Sequence, residues 1–306
     1  FQTAQAAEWN MPVPYSDAVF HTQNIKEFAE DVNKATNGAL TIKVHSAGSL
    51  IKHPEIKNSV RNGVVPVGEF LLSRLSNENP VFAVDTLPFL ASNYDAAEKL
   101  WKASKPKVAE LLDKQGLMVL FAVPWPPQGL YTKKDVNSLD DLKGVSFRAY
   151  NAGTETLASL AGMVPTQVES PDIPQAFATG RVQAMITSPS TGVSSKSWDF
   201  LTHYYDTQAW LPKNITVVNK KAFRRLDKSV QDAILAAAKR AEERGWAMSR
   251  SETDAKTKTL ADNGIKVAKP SSALNDGLQK IGKTMAADWL EKAGADGTAV
   301  LGAYKN

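Results

Sequence analysis

The sequence predicts an α/β protein of two domains. Strand-like apolar runs alternate with amphipathic helical stretches, and proline-rich segments break the alternation twice. A helical stretch of about 37 residues, 227–263, follows the second break. The chain has 306 residues, more than one usual domain and enough for a sizeable core. Apolar content of 43% and charged content of 22% argue against disordered and fibrous classes.

Each element follows from local signals. Residues 3–8, TAQAAE, carry small residues at the spacing of a signal-peptidase site, so residues 1–6 read as the remnant of a removed export leader or of a tag. EWNMPVPYS (8–16) reads as a strand entering a proline loop, with Ser16 capping a helix to about Thr36. LTIKVHS (40–46) alternates as a half-buried strand. Pro54 and Gly63 bracket a helix, and VVPVGEF (64–70) reads as a strand. A helix over 94–115 precedes the apolar strand LMVLFAV (117–123), and the alternation implies a largely parallel sheet.

PWPPQG (124–129) marks a crossing into a second domain. There SLDDLKG forms a turn, followed by a strand at 145–150, helices at 153–161 and 171–179, a strand at 182–187 and a helix from about 190. HYYDTQAW (203–210), Pro212 and ITVVN (215–219) read as the return crossing. Two crossings place domain I at 1–124 plus 212–250 and domain II at 125–211 plus 251–306. Ligands commonly bind in the cleft between such hinged domains. Gly245 alone interrupts the long helix, and a last helix is expected over 271–293.

Chemistry-bearing motifs are sparse. There are no cysteines, which excludes disulfides and thiolate sites. His21, His45, His53 and His203 lie in no zinc pattern and read as structural or surface residues. P-loop, G-x-G-x-x-G and GxSxG patterns are absent, so no catalytic residue, metal or cofactor is expected. Net charge is +4, with the densest basic run, KKAFRR (220–225), reading as the coat of a helix start rather than a grip on nucleic acid. No apolar run approaches the ~18 residues of a membrane span.

Polar and aromatic residues do gather at the crossings: Tyr15, Trp125, Gln128 and Trp210. In GVSFRAYNAG (144–153) strand alternation sets Ser146, Arg148 and Tyr150 on one face and Val145 and Phe147 on the other.

The chain resembles the extracytoplasmic solute-binding proteins of tripartite ATP-independent periplasmic (TRAP) transporters. The resemblance runs from about residue 8 to the last helix. VRNGVVPVGEF (60–70), DTLPFL (85–90), SLDDLKGVSFRAYNAGT (138–154), DIPQAFATGRVQAMITSP (172–189) and the helix after NKKAFRRLD (219–227) carry it. It implies the two-domain periplasmic-binding-protein fold, closing on a ligand in a central cleft around a hinge, with the long helix spanning both domains. It implies a monomeric periplasmic receptor that passes an organic acid to the TRAP membrane permease subunits.

Arg148 falls on the family's carboxylate-binding arginine, and Asn151 on a polar pocket position just after it. A guanidinium suits that task because its planar fork matches a carboxylate with two parallel hydrogen bonds. Ser188 stands where many members carry the asparagine of an E-N-P triplet, and Gln128 where sialic-acid binders carry a second arginine. With Phe70, Tyr15, Trp125, Tyr150 and Trp210 as aromatic candidates and Asn214 past the return crossing, a small monocarboxylate is expected. An aromatic 2-hydroxy or 2-keto acid such as mandelate or benzoylformate fits that description. The binding protein of an ATP-driven importer and an enzyme built on the same cleft are the rival readings; the long helix disfavours the first.

Overall fold

The structure, a computed structural model, describes residues 6–306. The expected leader remnant therefore lies, apart from Ala6, outside the described residues. In chain order the elements are β1 (Ala7–Pro12), α1 (Phe20–Ala35), β2 (Leu40–His45), α2 (Ile56–Arg61), β3 (Val67–Leu71), α3 (Tyr94–Asp113), β4 (Leu117–Pro124) and β5 (Gly129–Thr132). They continue with β6 (Ser146–Ala149), α4 (Ala152–Leu160), β7 (Val164–Gln167), α5 (Ile173–Ala178), β8 (Ala184–Thr187), α6 (Pro189–Ser194) and β9 (His203–Tyr205). The last are β10 (Lys213–Asn219), α7 (Lys220–Arg224), α8 (Lys228–Asp262), β11 (Lys266–Ala268) and α9 (Ser272–Lys305). Among the described residues no helix is long and apolar enough to cross a membrane.

The chain divides into two compact units. Among the described residues unit 1 comprises 6–71, 109–124 and 214–249; unit 2 comprises 72–108, 125–213 and 250–306. Both this division and the expected one change sides between Pro124 and Trp125. They differ over 72–108, which here joins unit 2, and by one or two residues at the return crossing and in α8. Segment 72–108 is tied to unit 2 by side chains distant in sequence: Arg74 bonds the Tyr150 carbonyl at 3.0 Å, and Trp289 bonds the Pro80 carbonyl at 2.6 Å. No local signal announces such bonds.

Unit 1 holds two small sheets. β1 and β2 pair in parallel from Ala7↔Leu40 to Pro12↔His45, and β3, β10 and β4 form a second sheet in that order. Every residue of β3 is buried, Glu69 included. Helix α1 begins at Phe20 rather than at Ser16, because residues 16–19 close a turn in which Val19 N bonds the Ser16 carbonyl at 3.1 Å. Phe28 of α1 packs edge-on against Phe121 of β4, with ring centroids 5.2 Å apart. Gly245 does not interrupt α8: a Cβ there would sit 2.4 Å from Val123, so the glycine lets the helix lie close to β4. The helix runs unbroken for 35 residues, those to Ser249 belonging to unit 1 and the rest to unit 2.

Unit 2 is built on a six-stranded sheet in the order β11-β9-β5-β8-β6-β7. The sheet is mixed, not largely parallel. β6 is parallel to β7 and to β8, and α4 and α5 supply the helical crossovers such pairing needs. β5 enters straight from the proline crossing with no helix to turn the chain, and runs antiparallel to β8 and β9. In unit 1, β10 likewise leaves the return crossing antiparallel to β3. β7 and β11 escaped the sequence reading because they are short strands at the two sheet edges; β7 carries Pro165, and its Val164 is 55% exposed. Gly294, at φ 55°, breaks α9 where the last helix was expected to end, but the chain resumes helical form to Lys305, and Tyr304 bonds the Leu90 carbonyl at 3.0 Å.

The core of unit 2 packs tightly around Tyr131 and Tyr204, whose ring centroids are 4.6 Å apart. A Cβ on Gly129 would meet the Tyr204 ring at 2.3 Å, whereas one on Gly302 in α9 would meet nothing within 4 Å. Gly129→Ala is therefore expected to destabilise by about 1–3 kcal/mol through overpacking. Gly302→Ala should be neutral or stabilising by up to about 1 kcal/mol. Urea midpoints of the two variants check this; equal midpoints would mean the core gives way at Gly129.

Candidate functional site

Strand β6 delivers Arg148 into the interior. Phe147, Arg148 and Ala149 are all buried, and Arg148 is only 4% exposed. Its Nε donates to the Val168 carbonyl at 2.9 Å, just past the end of β7. Its guanidinium lies 5.0 Å from the centroid of the Tyr150 ring, on the side-chain face that alternation predicts.

Tyr150 is fixed in turn by both crossings. Its hydroxyl donates to Gln128 Oε1 and accepts from Trp210 Nε1, each at 3.0 Å. Gln128 Nε2 donates to the Pro126 carbonyl at 3.1 Å. The crossings are laced by backbone bonds: Trp125 N to the Pro212 carbonyl, Gln128 N to Trp210 and Ala209 N to Gln128, at 2.8–3.0 Å. Four of the expected residues, Gln128, Arg148, Tyr150 and Trp210, thus form one connected group, with Trp125 on the same laced backbone. Burial pushes the Tyr150 hydroxyl well above its ordinary range, against the Trp210 hydrogen bond and the nearby Arg148 charge, so it stays a proton donor.

Asn151 and Ser188 hold local structure. Asn151 Oδ1 accepts from Thr154 N at 2.8 Å, capping α4, while Nδ2 donates to Ser73 Oγ at 2.8 Å. Ser188 caps α6 by accepting from Thr191 N at 3.1 Å, and its carbonyl takes the Tyr131 hydroxyl at 2.9 Å. Both residues start a helix directly after a sheet strand, where a side-chain oxygen satisfies amides the helix leaves unpaired.

Unit 2 also contains a pair to which sequence reasoning assigned no role. Asp85 Oδ2 accepts from Lys213 N at 3.0 Å and lies 3.3 Å from Lys213 Nζ, with both side chains almost wholly buried. Burial pushes the Asp85 carboxyl up, and Lys213 opposes that rise. The available signal was an isolated acid inside the apolar run VFAVDTLPFL.

The remaining candidates lie in unit 1. Tyr15 donates its hydroxyl to Asn214 Oδ1 at 3.1 Å, and Asn214 Nδ2 donates to Glu69 Oε1 at 2.7 Å. His21 Nδ1 stands 3.6 Å from the same oxygen. Phe70 pairs across the ladder with Ile215, on the opposite face of the strand from Glu69, so it is separated from the Tyr15–Asn214 group. Glu69 was missed, although a carboxylate in the apolar stretch VVPVGEF is itself a signal. Burial pushes its carboxyl up to about 7, Asn214 pulling the other way, and burial pushes the His21 imidazole well down. At about pH 6 the pair is thus largely uncharged, and Glu69 ionises as pH rises through about 7.

No nucleophile–base pair is assembled in either group; what they offer is polar and charged recognition. The family profile of the bacterial extracellular solute-binding proteins, family 7 (DctP), matches residues 14–292. The crystal structure of DctP7 from Bordetella pertussis, an extracytoplasmic solute receptor binding pyroglutamic acid, is 50% identical, covers 98% of this chain and 100% of its own, and superposes with a TM-score of 0.97. A marine metagenome TRAP solute-binding protein specific for pyroglutamate, solved with the co-purified ligand, is 42% identical, with 98% and 99% covered and a TM-score of 0.96. A solute-binding protein of Albidiferax ferrireducens is 26% identical over 71% of this chain, which spans 65% of that protein's length.

The Glu69–His21 cluster has a pH signature. With an ordinary value of 4.5 and a folded value of about 7, Glu69 is protonated in the fold where the unfolded chain is already ionised. Its stabilising contribution is full below about 4.5 and is lost as pH rises through about 7, roughly 2–3 kcal/mol between pH 5 and 8. His21, held down, has the opposite sign: its contribution is lost as pH falls through its ordinary 6.5. Glu69→Gln keeps the neutral form at every pH, so its stability relative to wild type should climb by that amount from pH 5 to 8 in urea titrations. A constant difference across the range would remove Glu69 as the titrating group.

Proposed function

The chain belongs to family 7 of the bacterial extracellular solute-binding proteins, the DctP family of TRAP receptors, and on that premise we propose that its ligand is pyroglutamate. Members of this family are receptors and not enzymes. Receptors 50% and 42% identical across nearly the whole chain bind this cyclic monocarboxylate, and their likeness supports it over mandelate or benzoylformate.

The observation that carries the reading is the buried Arg148, aimed by the Val168 carbonyl and the Tyr150 ring. Arg148 takes the ligand carboxylate through its guanidinium fork, in a low-dielectric setting that strengthens the contact. The neutral Gln128, at the position where a second arginine would suit a more highly charged or hydroxylated acid, fits a ligand with a single carboxylate. The hydrogen-bonding wall of Tyr150, Gln128 and Trp210 suits a ring carrying its own amide better than a bare aromatic ring. The receptor works as a periplasmic monomer and passes the acid to an ion-gradient-driven TRAP permease.

Isothermal titration with L-pyroglutamate, mandelate and benzoylformate tests the ligand. Pyroglutamate should bind, and it alone should raise the melting temperature strongly, since it binds only the folded chain. Arg148→Ala should cost about 2–5 kcal/mol, roughly 30-fold or more in Kd. Tighter binding of mandelate would replace the ligand, and undiminished binding by Arg148→Ala would remove the clamp.

A further inference from the structure

The basic run at 220–225 lies outside the polar groups described above, and the fold gathers it into a surface feature. In unit 1 the turn after α2, the turn between α3 and β4, and the start of α7 enclose an open hollow of about 500 Å³. Arg61, Lys220, Lys221, Arg224 and Arg225 line it, and no carboxylate does. Lys220 is ion-paired with Asp113. Among the described residues Arg61, Lys221, Arg224 and Arg225 have no acidic partner, and all four are exposed.

The base of the hollow is rigid. Asn219 Nδ2 bonds the Val60 carbonyl at 2.9 Å, and its Oδ1 accepts from Lys221 N and Ala222 N at 3.0 and 3.1 Å. Lys220 N bonds the Gly116 carbonyl at 3.0 Å. These bonds use the backbone amides that would otherwise cradle a small anion, so the hollow presents side-chain charge alone. No aromatic ring lines it, which removes the stacking platform that single-stranded nucleic acids need. Val64, beside Gly63 of the rim, is 72% exposed, an apolar residue next to the cations of the kind found at protein contacts.

We propose that this hollow is where the receptor docks on an acidic extracytoplasmic face of its membrane permease. The proposal rests on the receptor reading but not on the identity of the acid. A cluster of exposed, like-signed charge on a fixed base steers encounter with an oppositely charged face and makes the association salt-sensitive, while contributing modestly per residue. A net charge of only +4 over the whole chain makes five cations in one hollow, four of them without an acidic partner among the described residues, a local concentration and not a general property of the surface.

The test measures co-sedimentation of the full chain with liposomes of neutral lipid carrying the permease of its own transporter. Lys221→Glu, Arg224→Glu and Arg225→Glu combined should weaken association about tenfold or more at low salt, with the wild-type advantage shrinking as salt screens it. Titration of the same variant with pyroglutamate should match wild type, which separates failure to dock from failure to bind. If wild type binds no pyroglutamate, the ligand reading fails while the docking measurement still stands. Three outcomes would overturn the proposal: association unchanged in the triple variant, an equal loss from reversing the exposed Lys133, Lys134 and Lys196 of unit 2, or equal wild-type binding to protein-free vesicles rich in phosphatidylglycerol. The last would assign the hollow to anionic lipid.

Discussion

Unit 2 is organised around the burial of one guanidinium. A charge removed from water is costly unless local dipoles replace the lost hydration, and Arg148 is only 4% exposed. The Val168 carbonyl takes Nε, and the electron-rich face of Tyr150 lies against the guanidinium. Each of these supports is itself held. Val168 N bonds the Ala149 carbonyl as the β6–β7 ladder ends, Arg74 holds the Tyr150 carbonyl, and the Tyr150 hydroxyl is fixed between Gln128 and Trp210. The two crossings exchange backbone bonds, and from that laced pair Gln128 and Trp210 reach the same hydroxyl. The aim of the arginine is thus a property of the whole unit.

Four other buried acids and bases, Asp85, Lys213, Glu69 and His21, solve the same problem differently. Asp85 meets Lys213, so opposite charges compensate inside the fold. Glu69 and His21, only 3.6 Å apart, are both pushed toward their uncharged forms by burial. Asn214 bridges the neutral carboxyl to the Tyr15 hydroxyl, giving unit 1 a polar group whose hydrogen bonds survive without a net charge. The contrast matters for function: a guanidinium kept ionised and aimed attracts a carboxylate, whereas a neutral carboxyl–amide–phenol group offers donors and acceptors without repelling one.

Recognition of a small acid and association with a membrane partner place different demands on charge. The first is served by a desolvated group with fixed geometry, where a single arginine acts strongly. The second is served by exposed charge that acts at a distance and yields to salt. In this chain the two kinds of charge are found on different units, Arg148 in unit 2 and the basic hollow in unit 1.

Much of this was legible in the residues. The long α8, the strand–helix alternation, the break after Pro124 and the placement of Arg148 and Tyr150 on one strand face all follow from periodicity and turn chemistry, which act over a few residues. Arg148's role as a candidate carboxylate ligand came from resemblance, not from spacing. The edge strands β7 and β11 carried too few buried positions to show a period, and the antiparallel entry of β5 depended on how the crossing aimed the chain. Capping by Asn151 and Ser188 is readable from a polar residue opening a helix, because a short side-chain oxygen there meets the helix's unpaired amides.

By itself, the sequence determined most of the helices and the longer strands, and which face of β6 would carry the arginine, because those properties are set by neighbours along the chain. Only the tertiary structure decided that Tyr15 would meet Asn214, 199 residues away, that Phe70 would lie on the other face of its strand from them, and that Glu69 would be buried with its carboxyl pushed up to about 7. Those outcomes depend on which strands pair and on how much water each pairing excludes, and neither is encoded within any short stretch of the chain.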